Sequence, residues 1–231
     1  MEDLNMKKIF VLVVSILLCS FSFAYAAGMF GAPEGAYGPY MGLGYWYDQT
    51  GMKPDRGSDF TVKQNQGFVQ GGYGWSGSEI YGRFGFSDLR AQENDSSSKF
   101  VDAYRTYATL GGKYFGKLNE TFAVGPFIQG TYYFSEFSQN DVSIKDWWDV
   151  ALGLGFQYKA ASNVKLYAGP YVYWAGGKIE SGSESTNFDP QSVGGVYFGV
   201  TYDVNKNLNI TAEGKYNPND FSGGLMINHP F

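Results

Sequence analysis

The chain of 231 residues has one cysteine, Cys19, and one histidine, His229. Cys19 falls inside the N-terminal apolar run. The rest of the chain therefore has no thiol for a disulfide, a thiolate nucleophile or a soft-metal ligand. A single imidazole leaves His-based metal sites and nucleophilic triads without the residues they use. Charge is scarce at 17%, and 17 Lys and Arg stand against 22 Asp and Glu. The net charge of −5 offers no basic patch, so no nucleic-acid partner is expected. Sustained helical periodicity is absent after Ala26. The glycine pairs of "LGLG" and "QGGYG" are not followed by a helical pattern, which removes a nucleotide-loop reading. No cofactor is expected.

The start of the chain carries an address. Lys7 and Lys8 precede the apolar run "IFVLVVSILLCSFSF", and "AYAA" follows with Ala24 and Ala26 as small residues. The run is shorter than the roughly 20 apolar residues of a membrane anchor and ends at a cleavage pattern. We expect residues 1–26 to be a secretory signal cut after Ala26. Leu18 stands before Cys19, where a lipoprotein signal needs a small residue.

What remains, 27–231, is expected to be one domain. It is rich in aromatics and glycine: the chain has 32 Gly, 19 Tyr and 19 Phe. Period-two alternation recurs in ten segments: 37–47, 66–75, 79–89, 103–115, 121–134, 147–159, 164–175, 193–204, 208–216 and 221–231. "SGS", "GKLNE", "AASN" and "NKN" make short turns at one end. Longer polar connections, such as 48–65, 90–102, 135–146 and 179–192, fall at the other. Alternating connection length in an up-and-down meander predicts an all-β transmembrane antiparallel barrel of about ten strands, with eight as the alternative.

The two faces of each segment differ. Val196, Phe198, Val200 and Tyr202 oppose Gly195, Tyr197, Gly199 and Thr201; Val150, Leu152, Leu154 and Phe156 oppose Asp149, Ala151, Gly153 and Gly155. Aromatics cluster near both ends of the apolar face, as in the pairs Tyr104/Tyr114, Trp148/Tyr158 and Phe221/Phe231. Ten residues at about 3.3 Å each, tilted about 40°, rise roughly 25 Å, the height of an apolar band between aromatic girdles. A soluble barrel would turn the apolar face inward and would not set girdles at both its ends.

With its signal, its meander and its ending "GGLMINHPF", the chain resembles the small outer-membrane β-barrel superfamily, including OmpA-like and opacity-like barrels. The resemblance implies residence in the outer membrane among its lipids and lipopolysaccharide. It also implies that the final aromatic, Phe231, is read by the outer-membrane insertion machinery. It implies little about task, because such barrels share shape more than activity.

Catalysis is not expected. His229 falls on the turn side and reads as an interfacial polar residue. Glu93, Asp95, Glu180, Glu184 and Asp189 supply loop carboxylates, but their spacing does not match a calcium loop. The inward face is expected to carry Arg83, Arg105, Lys113, Asp149, Lys165, Glu213 and Lys215. Arg83 or Arg105 are candidates to pair with Glu213 or Asp149, because buried charges need partners. We expect a structural or surface-interaction barrel working through its loops, with a narrow porin-like channel for ions or small solutes as the alternative.

Overall fold

The computed structural model describes residues 29–32, 34, 37–93, 99–139, 141–191, 193–218 and 220–231. The expected signal, 1–26, and Asp95 lie outside them. Alternating β-branched, aromatic and small residues favour a pleated backbone, and every regular element among the described residues is a strand. In chain order these are β1 (Gly38–Pro54), β2 (Phe60–Trp75), β3 (Ser78–Glu93), β4 (Lys99–Tyr114) and β5 (Gly116–Lys117). Then come β6 (Phe122–Tyr133), β7 (Phe137–Gln139), β8 (Val142–Ala161), β9 (Val164–Ser181) and β10 (Glu184–Pro190). β11 (Gly194–Asn205), β12 (Leu208–Asn217) and β13 (Asp220–Pro230) complete the set.

Ten of the strands close an antiparallel barrel, and β5, β7 and β10 are additions to it. Closure is made by β1 on β13, with Tyr40 opposite Pro230, Leu43 opposite Ile227 and Tyr47 opposite Gly223. Pro230 cannot donate to the ladder, yet Phe231 N–H reaches the Pro39 carbonyl at 3.1 Å. The closing seam therefore extends to the last residue. Closure matters because an open sheet edge is not tolerated in hydrocarbon.

Turn chemistry explains the short end. Asn119 Oδ1 accepts from the N–H groups of Thr121 and Phe122 at 2.8 Å each, and Asn205 Oδ1 accepts from Asn207 N–H at 2.8 Å. These side chains hold the chain reversal locally. Gly77 adopts φ 77° in the β2–β3 turn, where a side chain would be strained.

The wall sorts as the alternation predicts. Leu110, Ile128, Leu152, Leu154, Phe156, Ile210 and Ile227 are exposed on the outside, whereas Tyr81, Tyr107, Tyr173 and Tyr197 are buried inside. Val200 has outward parity but is covered; it stands between Leu166 and Ala212 in register and takes no part in the interior cluster. Tyr114, Phe122, Tyr158 and Phe231 lie exposed toward the turn end, and Phe86, Tyr104, Phe134, Trp148 and Trp174 toward the loop end.

The loop end departs from the sequence reading. β1 and β2 run on into 48–65, leaving 55–59 as the connection, and β9 folds back through Gly182 and Ser183 into β10. β10 pairs with β9, Phe188 opposite Gly177, and with β1, Pro54 opposite Phe188. Above the level where β11, β12 and β13 stop, this one short strand fills the gap between β9 and β1. β7 pairs with β8 and is tied to β4 through Gln139 Oε1 on Val101 N–H (2.6 Å) and Asp102 Oδ2 on Ser138 N–H (2.7 Å). The barrel thus continues outward as a narrower collar.

Candidate functional site: a filled lumen

Three layers of side chains fill the barrel. At the loop end the collar encloses an apolar layer of Met52, Phe60, Leu89, Phe137, Ile144, Trp147 and Phe188. Their rings meet edge to face: Trp147 to Phe188 at 5.2 Å and Phe60 to Phe188 at 5.9 Å between centroids. An apolar, packed layer of this kind has no polar lining for water or ions.

Below it lies a polar layer with long-range hydrogen bonds. Lys113 Nζ meets Glu79 Oε1 at 3.3 Å, Tyr40 donates to the same carboxylate at 2.8 Å, Gln70 Nε2 donates to Tyr40 at 2.9 Å, and Arg83 Nε donates to Gln70 at 2.5 Å. Tyr81 donates to Gln129 at 2.8 Å, and Gln66 Nε2 to Tyr133 at 2.9 Å. Such a network is costly when incomplete and rigid when satisfied. The inward glycines here do not leave water-filled gaps. A Cβ on Gly111 would meet the Tyr81 ring, and one on Gly153 would meet the Phe127 ring. Each glycine is the flat pad on which a neighbouring ring lies.

The third layer, interleaved with the turn-side part of that network, is the chain's own N-terminal segment, entering from the turn end. The Glu213 carboxylate accepts the N–H groups of Phe30 (2.8 Å) and Gly31 (2.7 Å). Arg83 Nη2 donates to the Met29 carbonyl at 2.5 Å, and Lys113 Nζ to the Ala32 carbonyl at 3.0 Å. Phe30 packs against Phe127, Tyr171 and Tyr197, with centroids 4.1, 5.4 and 5.1 Å away. The Lys215 ammonium stands 3.5 Å from the Phe30 ring centroid and 4.8 Å from that of Trp46. A desolvated contact of this type contributes about 2 kcal/mol. At the mouth, Glu34 pairs with Lys117 at 2.6 Å and accepts from Gln157 at 3.0 Å. Partial burial works against the Glu34 charge, but the Lys117 ammonium and the Gln157 amide hold its carboxyl below the usual range.

The expected lumen residues thus have separate places. Arg83, Asp149, Glu213 and Lys215 are buried at mid-depth. Lys113 joins Glu79, and Lys165 faces Asp203 at 3.6 Å on the turn side. Arg105 sits higher, on the β4–β7 seam, bound to Asp102 at 2.9 Å and to the Glu136 carbonyl at 2.7 Å. The expected pairings of Arg83 or Arg105 with Glu213 or Asp149 do not form, because Gln70 and Met29 take the Arg83 guanidinium and Asp102 takes Arg105. His229 is exposed and stacks edge-on against Phe231 at 5.0 Å. Among the described residues no cluster of His, Cys, Asp and Glu is arranged to hold a metal. The segment 29–34 was not recognised from sequence; the apolar pair Met29–Phe30 between small residues is the one local signal for it.

A vestibule of ≈ 820 Å³ opens on the turn side, lined by Glu34, Lys113, Lys165, Asp203, Asn209 and Asn228 among others. On the outer wall, two shallow depressions of ≈ 780 and ≈ 770 Å³ lie over Gly71, Gly82, Ala108, Gly112 and Gly130. They open on the apolar outer face of the wall.

The closed barrel, its apolar outer wall and its aromatic ends define an outer-membrane β-barrel protein. Known structures agree on the fold. An outer-membrane channel from Pseudomonas putida F1 superposes with TM-score 0.54 at 12% identity over 89% of this chain and 100% of that one. The transport unit of the autotransporter AIDA-I from Escherichia coli does so with TM-score 0.56 at 12% identity, over 90% of this chain and 95% of that one. No family model matches the sequence, and no curated protein matches it. At these identities the likeness concerns the fold alone.

Proposed function

We propose that this barrel is a structural and surface-interaction protein of the outer membrane, working through the collar and its loops. The observation that carries this reading is the filled lumen. The N-terminal segment, the polar network and the apolar collar layer together occupy much of the lumen, which supports a structural barrel over a conduit. Binding functions concentrate on loops held by a rigid scaffold, and the collar is such a scaffold. The lipids around the wall include lipopolysaccharide on this reading, with its headgroups at the level of the loop-side aromatics.

Catalysis has no support from the chemistry of the filled lumen. Its buried carboxylates are surrounded by tyrosine, glutamine and cationic side chains, with no imidazole or thiol beside them among the described residues. We further propose cleavage of the signal after Ala26 and reading of Phe231 by the insertion machinery during assembly.

The test exchanges residues at the tips of 48–65, 90–102, 135–146 and 179–192 for Ser-Gly linkers of equal length. The exchanged protein should reach the outer membrane in parental amounts while cell adherence and autoaggregation fall. Unchanged surface behaviour, combined with solute entry in a liposome-swelling assay of the parent, favours the narrow channel instead.

A further inference from the structure

In a chain of net charge −5, one sector of the collar is cationic on its outer face. Lys63 of β2 stands directly opposite Arg90 of β3 in register. Both have outward parity: Lys63 lies between buried Val62 and Gln64, and Arg90 follows buried Leu89. Like charges directly opposite in an antiparallel pair repel and destabilise it. One carboxylate, Asp88, is close. Asn65 already takes it, with its backbone N–H at 2.5 Å and its Nδ2 at 2.9 and 3.1 Å. Arg90 meets it at 3.4 Å through Nη2 alone. Lys63 has no ion pair among the described residues. The neighbouring outward positions, Tyr47, Gln49, Thr61 and Gln92, hold no acid.

The collar contains its own comparison. Lys145 of β8 stands opposite Lys178 of β9, the same juxtaposition of like charges. There the protein supplies the counter-charges: Glu180 at 2.7 Å and Glu136 at 3.5 Å for Lys145, and Asp146 at 3.2 Å for Lys178. For Lys63 and Arg90 it does not.

Depth indicates what does. Tyr45, Gly67 and Phe86 form one register row at the loop-side girdle, where the Tyr45 hydroxyl donates to Asn65 Oδ1 at 2.5 Å. Lys63 lies four residues further out along β2. Four residues at about 3.3 Å each, tilted about 40°, rise roughly 10 Å. Headgroups extend about 5–8 Å beyond the hydrocarbon, and the long stems of lysine and arginine bend back toward it. The two cationic heads therefore reach the headgroup layer, on the outer side of the wall and below the loop tips.

We propose that Lys63 and Arg90 form a docking site for the phosphate of an outer-leaflet lipid headgroup. Phosphate oxygens accept from a guanidinium fork and an ammonium together, so the anion turns the repulsion of the pair into a shared attraction. The hydrogen bonds among Tyr45, Asn65 and Asp88 hold the floor beneath it. The proposal rests on the reading of this barrel as a surface protein of the outer membrane and names the lipid chemistry that its collar takes.

Native mass spectrometry of the full chain, purified folded from outer membranes in detergent, tests this. The added probes are bisphosphorylated lipid A, the same lipid without its phosphates, and inorganic phosphate. The phosphorylated lipid is expected to stay bound to roughly fivefold more of the protein than the dephosphorylated one. The double variant Lys63→Gln, Arg90→Gln is expected to remove that difference, whereas Lys63→Arg keeps it. Neither side chain is buried, so the heat-modifiable gel shift of both variants should match the parent's. Lys206→Gln, on an exposed turn at the other end, should retain the lipid as the parent does. Equal retention of the two lipids by the parent, or a difference that survives in the double variant, overturns the site. Displacement of the lipid by equimolar inorganic phosphate overturns its assignment to a headgroup. Adherence through the loop tips is measured on cells and without these probes, so either reading can fail while the other stands.

Discussion

At the scale of single residues, the lumen is held by a few groups whose removal has distinct consequences. Phe30 fills the space between Phe127, Tyr171, Tyr197 and Lys215. Burying one Phe contributes about 1.5–3 kcal/mol, enough to decide whether a short segment stays docked. Phe30→Ala is expected to expose the segment to protease in detergent while the barrel keeps its heat-modifiable gel shift. Loss of the shift would mean that the segment holds the wall together. Gly111 has the opposite role: a side chain there collides with the Tyr81 ring. Overpacking of this kind costs about 1–3 kcal/mol, so Gly111→Leu should lower the temperature at which the gel shift is lost. Glu34 sets a pH limit on docking. Its folded pKa is depressed, so its stabilising effect is present above the unfolded value of about 4.3 and is lost as pH falls through the folded value. The protection of the Phe30 and Gly31 amides, taken relative to the intrinsic exchange rate at each pH, should therefore fall on acidification below about pH 4, and unchanged protection would exclude Glu34 as the anchor.

At the scale of elements, the sequence was most legible inside the membrane. The alternation of Leu152 and Leu154 with Ala151 and Gly153 is imposed by having hydrocarbon on one side and a packed interior on the other. Turn-side ends were legible too, because Asn119, Asn205 and Gly77 carry turn chemistry. The loop-side ends were not. Beyond the apolar band, segments such as "TVKQNQ" at 61–66 are polar on both faces, so the strand continues by backbone pairing with no period to read. β10 was missed for the same reason: its hairpin with β9 is mostly polar on both faces, and its other partner is far off in the chain, Pro54 opposite Phe188. Phe188→Ala should cost about 3–5 kcal/mol within the collar. It should increase exchange in β9 and β10 while leaving the membrane-level strands protected. At the seam, Phe231 adds one N–H bond and an interfacial ring, a small part of a wall this size. Phe231→Ala should reduce the outer-membrane fraction in cells while purified protein refolds in detergent. Normal insertion with failed refolding would make the residue structural instead.

At the scale of the whole molecule, the lumen residues were legible as a list but not as an arrangement. Parity alone turns Arg83, Asp149, Glu213 and Lys215 inward. Their partners depend on strand tilt and on a segment ahead of β1 that has no periodicity of its own. Arg83 bonds to Gln70 and Met29 because those acceptors are nearer than Glu213, which is already engaged with Phe30 and Gly31. The result is a barrel filled twice, by a collar of aromatic side chains at the loop end and by its own chain at the turn end. Removing one filling leaves the other. Single-channel recording in planar bilayers tests this most directly, using the purified chain and a variant lacking 29–34. Both are expected to give no steady open steps, because the collar layer of Trp147, Phe137 and Phe188 persists without the segment. Uniform, long-lived conductance steps from the parent would contradict the closed lumen outright.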